Sequence, residues 1–383
     1  MSDSPSSLDR IEDAIEDIKN GKVVIVVDDE DRENEGDFVA AARFATPEVI
    51  NFMATEGRGL ICAPLVESRC DELGLDLMVS RNNAAYETPF TVSVDLIGQG
   101  CTTGISASDR SKTIQALIDP NTDPEALGKP GHIFPLRARK GGVLRRAGHT
   151  EAAIDLARLA GLEPAGVIVE IMNADGTMAR LPQLLEMAKR WNMKIVSIED
   201  LIAFRIAHDT LIQCTGSKEI QTAHGTFTMR SYRQTTNDRE HFALMKGEWE
   251  ENSAVPVRMH ASAPHLDLLC DHTLGKGDTF QRCLAQLAKM EYGALVYLQK
   301  SHGSWEEALQ KSSNPNSRST TGEDISEAEM TRRRGRAFGL GAQILRDLNI
   351  SRLQLISDTA VVSKGMTLYG LEITEVLPVG PSK

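Results

Sequence analysis

The chain has no apolar run approaching the ~20 residues needed to cross a bilayer, which excludes a helical membrane protein. The opening stretch, MSDSPSSLDR, has no apolar h-region, so no secretory leader is expected there. The six cysteines (62, 70, 101, 214, 270 and 283) contain no CxxC pair. That spacing suits neither a zinc ribbon nor a disulfide framework, and points to free thiols in a reducing cytoplasm. Nothing repeats at solenoid periods. The first half is short of positive charge: residues 1–209 carry 34 acidic against 22 basic side chains, while 210–383 carry 20 of each. The whole net charge of −12 therefore sits ahead of residue 210. Such a surface repels nucleic acid, and a phosphorylated metabolite binds only where a local cation or metal reverses the field.

The composition is that of an ordinary globular protein, with 41% apolar and 25% charged residues. Its 383 residues suggest two domains, drawn here as 1–209 and 210–383. Ile11, Ala14, Ile15 and Ile18 recur at helical spacing up to Asn20-Gly21. Val23 to Val27 then form an unbroken apolar run, as in a strand buried on both faces of a layered α/β domain. Further strands are expected at 59–63, 90–96, 166–171 and 194–197, and helices at 47–56, 109–118, 150–160, 182–191 and 198–208. In the second part, strands are expected at 224–233, 241–248, 294–299, 353–357 and 371–376, with helices at 279–290 and 338–348. Residues 311–335 hold hardly an apolar side chain and are expected to form a mobile surface loop. The arginine cluster 332–334 falls in that charge-balanced loop and is read as solvated rather than as an RNA site.

Directly after the first strand comes DDEDRENEGD (28–37), with seven carboxylates around one arginine. Like charges packed so closely cost free energy unless a cation is bound or the loop is well solvated. An isolated acidic run is normally just a solvated turn. Here it begins at a strand end, where open α/β sheets place ligand sites. Arg32 stands among the acids as an anion clamp would, and Gly36 is expected to allow a tight turn that lets Glu33, Glu35 and Asp37 converge. Oxygen-rich ligation of that kind suits Mg²⁺ or Mn²⁺. Further on, GGVLRRAGHTEA (141–152) sets Arg145, Arg146 and His149 before a helix, with Thr150 expected as its N-cap and Gly161 as its stop. Helix N–H groups and dipole make a phosphate site of that start, and Arg146 and Thr150 would complete it. His149 either caps and packs or supplies a nitrogen ligand beside the acids. His132, between prolines in GKPGHIFPL, is either a hydrogen-bonded histidine of a rigid loop or a catalytic group. Glu170 ends the apolar strand GVIVEI, and is either salt-bridged or held with a raised pKa for proton transfer.

The strings DDEDRENEGD, TTGISASDR (102–110), PGHIFPLRA (130–138), GGVLRRAGHTEA and NADGTMAR (173–180) together resemble the 3,4-dihydroxy-2-butanone 4-phosphate synthase family of riboflavin biosynthesis. The likeness runs from about residue 10 to 208. It implies a homodimeric lyase that uses Mg²⁺ or Mn²⁺ to convert D-ribulose 5-phosphate into L-3,4-dihydroxy-2-butanone 4-phosphate and formate. By position, Glu33 and His149 would be the metal ligands, and His132 and Glu170 the catalytic pair. Arg32, Glu33, Asp37, Arg146, Ala147, Gly148, His149, Thr150 and Glu170 would contact the substrate. Ala147 departs from the family, which often has glycine there. Cys62, Thr102 and Thr103 either line the pocket or pack.

The second part is similar, more weakly, to GTP cyclohydrolase II through VPVRMH (255–260), ALVYLQ (294–299) and FGLGAQIL (338–345). That family holds zinc on three cysteines spaced C-x10-C-x-C, and those positions fall on Ala263, Leu274 and Lys276. Cys270, Cys283, His265 and His272 are near, at other spacings. The nucleotide loop becomes QKSHGSWEEAL from Gln299, an acid is replaced by Arg334 ahead of a matching Arg336, and an Asn-Asn-Pro turn becomes Asp358-Thr359-Ala360. The expectation is an inactive, zinc-free domain kept as a scaffold. The rival readings are a bifunctional enzyme with a rebuilt second site, and a non-catalytic regulator that binds a sugar phosphate or nucleotide.

Overall fold

The computed structural model describes residues 8–29, 32–84, 86, 88–237, 239–261, 267, 278–299, 339–358 and 371–380. The expected loop 311–335 and positions 263, 265, 270, 272, 274, 276, 334, 336, 359 and 360 lie outside the described residues. The chain divides into two compact units, Met1–Arg205 and Ile206–Lys383.

In the first unit seven strands form one mixed sheet: β1 (Val24–Val27), β2 (Gly36–Ala41), β3 (Cys62–Val66), β4 (Val94–Leu96), β5 (Leu127–Ala138), β6 (Gly166–Glu170) and β7 (Ile195–Ser197). Their order is β4-β5-β3-β6-β2-β1-β7. Helices α1 (Ile11–Lys19), α2 (Pro47–Phe52), α3 (Glu67–Glu72), α4 (Ala107–Ile118), α5 (His149–Leu159), α6 (Leu181–Trp191) and α7 (Ile198–His208) accompany it. Strand alternation sorts the apolar run of β1 into two cores. Val24 and Val26 join side chains of α1, α5 and α7, whereas Ile25 joins those of α2, α4 and α6. Each such fully buried side chain contributes about 1.5–3 kcal/mol. The helix begun at Pro47 widens into a π-helical turn over Met53–Gly57 and stops at Arg58, which takes a left-handed conformation.

Three expectations change here. Of the strand expected at 90–96 only Val94–Leu96 is regular; Phe90 and Thr91 make single bridges, to Leu136 and Leu77. GKPGHIFPL is not a loop but lies within the twelve-residue β5. Opposite β4 it bulges: Val94 pairs with Ile133 while the next residue, Asp95, pairs with Gly128, so Lys129–His132 stand out as extra residues. The Lys129–Pro130 peptide is cis. Gly36 does not turn the chain. It is the first residue of β2, where a Cβ would lie 2.5 Å from Leu184 of α6, and the left-handed turn is made two residues earlier by Asn34. Close packing, not a turn, needs the glycine.

The second unit has a mixed sheet of β8 (Ile212–Thr222), β9 (Gly225–Gln234), β10 (Glu240–Lys246), β11 (Ala254–Ala261), β12 (Gly293–Leu298), β13 (Arg352–Ile356) and β14 (Glu372–Leu377). Their order is β14-β13-β11-β12-β10-β9-β8. Helix α8 (Thr279–Ala288) and a helix over 339–347 pack against it. Both units are therefore α/β layers with mixed sheets flanked by helices.

Candidate active site

One end of the first sheet gathers the polar residues. β1 ends beside Asp28, β2 opens with Gly36 and Asp37, and β6 ends at Glu170. The ladder pairs Val26 with Asp37, and Asp37 with Glu170. Because cross-strand partners share a face, the carboxylates of Asp37 and Glu170 stand side by side. Alternation puts Asp28 on the same face, two residues beyond Val26. That face carries α5, whose first residue is His149. The helix N-terminus thus sits over the acidic strand ends.

His149 is buried, 6% exposed. Its Nε2 lies 3.1 Å from the carbonyl oxygen of Val26, which can only accept, so Nε2 carries the proton and Nδ1 keeps its lone pair. Nδ1 lies 3.8 Å from Oδ1 of Asp37, an oxygen buried without a hydrogen-bond partner. Burial, foremost, pulls the imidazole down to about 4, so it is neutral and able to ligate at neutral pH. Asp28, Glu33 and His149 each bring a ligand atom within 4.8 Å of the others. Burial pushes the Asp37 carboxyl well above the usual range, and the charges of Glu170, Glu33, Asp28 and Glu35 push it further. The carboxyls of Glu33 and Glu35 are raised too, again chiefly by burial. An orphaned buried oxygen, an imidazole with its lone pair turned inward and carboxylates held reluctantly charged form a donor set that fits a hard divalent cation.

The acidic segment is tied down from inside. Asp28 accepts from the backbone N–H of Glu35 at 2.8 Å and of Glu33 at 3.2 Å, and from Arg32 at 2.8 Å. Arg32 also pairs with Glu33 at 2.8 Å and lies over the ring of Tyr86, whose hydroxyl donates to the Arg32 carbonyl. Arg180 donates to the carbonyls of Glu33 and Asn34. Asp28 thus shapes the loop as well as standing in the donor set with Glu33 and His149.

The cap of α5 differs from expectation. The N-cap is Gly148, and Thr150, buried, is the second helical residue. Thr150 has helical dihedrals, so its hydroxyl cannot cap this end. A Cβ at Gly148 would lie 2.4 Å from Nη1 of Arg146, so only glycine leaves room for that guanidinium. Arg146 is held by fully buried Glu151 at 2.8 Å, the Tyr86 carbonyl at 3.1 Å and Thr88 at 3.3 Å. Ala147 packs against the α5-side core, and Gly161, at φ +75°, follows the helix end.

Glu170 accepts from the backbone N–H of Leu60 at 2.8 Å and meets no cation within ion-pair range among the described residues. His132 is not in the cluster. Its partner is Asp95, which accepts from the His132 backbone N–H at 2.8 Å and lies 2.6 Å from ring Nδ1. Cys62 is buried in the α5-side core, its thiol pushed up by burial and then by Glu170 and Asp37. Thr102 is tied to Asp109, and Thr103 is exposed. Sequence reasoning missed Asp28 as a loop organiser, Tyr86, Glu151, Asp95 and Arg180. Arg180 ends the quoted string NADGTMAR, and Glu151 directly follows GHT. Nothing local marks Asp95 or Tyr86.

Residues 12–204 match the profile of the 3,4-dihydroxy-2-butanone 4-phosphate synthase family, and residues 213–378 that of GTP cyclohydrolase II. The chain belongs to the 3,4-dihydroxy-2-butanone 4-phosphate synthase family. This synthase, a lyase-type enzyme that converts ribulose 5-phosphate, is fused here to a part of the GTP cyclohydrolase II family. It is 52% identical to the riboflavin biosynthesis protein RibBA of Cytophaga hutchinsonii over 376 residues, 97% of this chain and 92% of that protein. The crystal structure of RibBX, a two-domain synthase from A. baumannii, is 38% identical, covers 97% of this chain and all of that one, and superposes with a TM-score of 0.74. A synthase solved with two magnesium ions is 43% identical, covers 53% of this chain and 99% of that one, and gives a TM-score of 0.51. Such synthases depend on a divalent metal and act on a small molecule. In this synthase no helix among the described residues is long and apolar enough to cross a membrane.

Proposed function

We propose that the first unit converts D-ribulose 5-phosphate into L-3,4-dihydroxy-2-butanone 4-phosphate and formate, with Glu33 and His149 as the protein ligands of Mg²⁺ or Mn²⁺. The observation that carries this reading is the inward lone pair of His149 beside Glu33 and the unpartnered Asp37 oxygen. When bound, the cation would offset negative charge that develops on adjacent oxygens of the sugar phosphate. Arg146, fixed on three sides, and the N–H groups of His149 and Thr150 in the first turn of α5 would take the phosphate, with Gly148, whose own N–H donates to the Arg146 carbonyl, giving it room to approach. Arg32 and Asp37 would contact the sugar, with Ala147 lining the approach. Glu170, its Oε2 steadied by Leu60, and His132 would move protons. We place the synthase part at 1–209, the second part at 210–383, and the active form as a cytoplasmic homodimer.

The second unit, in this reading, binds no zinc and does not open GTP. Alanine, leucine and lysine at 263, 274 and 276 cannot supply thiolates. A two-domain relative described as a synthase alone supports the same view. The rival, a bifunctional enzyme with other zinc ligands, is favoured by relatives that bear the RibBA name. Purified full-length protein should release formate from ribulose 5-phosphate only with Mg²⁺ or Mn²⁺, and none from GTP with zinc. Formate from GTP would establish the rival; no turnover of ribulose 5-phosphate with any divalent ion would overturn the proposal.

A further inference from the structure

We propose that Asp95 is the positioning residue for His132, locking the ring so that Nε2 is its proton-exchanging atom. The inference rests on the reading of His132 as catalytic and adds the group that makes it competent. One carboxylate holds the residue twice: Oδ1 accepts from the backbone N–H at 2.8 Å and Oδ2 accepts from ring Nδ1 at 2.6 Å. Two bonds to one residue fix both where the bulged backbone stands and how the ring is turned. Since a carboxylate only accepts, the proton resides on Nδ1, and Nε2 is left with a lone pair and no partner among the described residues. The ring is partly exposed, its side chain 44% accessible, so Nε2 can reach a substrate.

The carboxylate is itself wedged in place. Behind it lies Gly104, where a Cβ would stand 2.1 Å from Asp95 Oδ2. The Gly104 loop is anchored by Asp109, which accepts from the N–H of Thr102 and of Gly104, both at 3.1 Å, and from the Thr102 hydroxyl at 2.8 Å. This assigns a purpose to TTGISASDR: it builds the wall that presses Asp95 onto His132. A carboxylate that orients a histidine in this way selects the tautomer, and its amide isostere selects the wrong one.

The experiment uses full-length protein with Mg²⁺ and ¹⁵N-labelled histidine, His132 being assigned by comparison with His132→Asn. Wild type should show the His132 ring protonated at Nδ1. Asp95→Asn keeps an acceptor for the backbone but faces Nδ1 with an amide donor, so the proton should move to Nε2. We expect kcat to fall at least 100-fold with KM within twofold, and Asp95→Glu to recover at least tenfold of the loss. A wild-type ring protonated at Nε2 overturns the proposal whether or not any variant folds. So does Asp95→Asn with unchanged kcat. If instead His132→Asn turns over normally, the catalytic reading of His132 falls by itself, and the labelling still decides whether Asp95 sets the ring.

Discussion

His149 commits one ring nitrogen to the Val26 carbonyl and turns the other towards Asp37 and Glu33. In its proposed role as a ligand of the cation, it cannot be replaced by a shape mimic. His149→Phe should abolish ribulose 5-phosphate turnover and weaken Mn²⁺ binding at least tenfold, measured by electron paramagnetic resonance titration. Glu33→Gln removes the charge but keeps the size, and should raise the Mn²⁺ dissociation constant similarly while leaving the melting temperature unchanged or higher. The rise is expected because Glu33 is a half-buried carboxylate whose pKa is raised, chiefly by desolvation. Gly148→Ala should fail differently. It crowds Arg146 out of its place against Glu151, so KM for substrate should rise while metal affinity holds.

At the scale of elements, the loop that leads to Arg146 is stapled to α7. Arg205 donates to Asp155 at 2.7 Å and to the carbonyl of Gly141, and Asp155 also accepts from Val143 N–H at 2.8 Å. Both side chains are buried, and burial raises the Asp155 carboxyl even against Arg205. Arg205→Met leaves the buried Asp155 only the half-exposed Arg158, 3.8 Å away, and should cost about 3 kcal/mol in urea unfolding. Adding Asp155→Asn should recover part of the loss. Elements of this unit were legible wherever period and burial agreed: the run Val23–Val27, the α5 stripe Ala152, Ala153 and Leu156, and the stop at Gly161. Legibility ended where tertiary contact overrides pattern. β5 carries two prolines and two glycines, which read as a loop, yet its bulge lets the strand absorb them. β8 went unseen because an exposed edge strand, QCTGSKEIQT, needs no apolar alternation. The cap of α5 went to glycine because Arg146 needed the room. The acidic loop and His149 were legible as a pair because charge density marked one and helix position the other; Asp95 was not, since its meaning comes only from a bulge that brings His132 to it.

Across the whole molecule, the second unit carries a stability term of its own. His241 is buried, with Nδ1 accepting from Gln299 N–H at 3.0 Å, and burial, helped by Arg239, pulls it down to about 4. The unfolded chain binds that proton near 6.5 and the folded one does not until about 4. Its contribution is therefore complete above pH 6.5 and is lost as pH falls towards 4, by up to about 3 kcal/mol. Urea unfolding followed through Trp249, whose indole donates to Leu348 in this unit, should show that loss, and His241→Gln should flatten it. Equal pH dependence in both proteins would remove His241 as the cause. The two units then differ in what they ask of solution conditions, the first wanting a cation for its crowded acids and the second a neutral histidine.

The bond from His149 to Val26 reaches the middle of a strand that lies between β2 and β7. Loading the site with Mn²⁺ should thus be felt in the sheet interior: amide deuterium uptake along Val24–Val27 should slow as well as uptake in the acidic loop. The strand would serve as a built-in reporter of occupancy, readable by mass spectrometry without substrate or turnover.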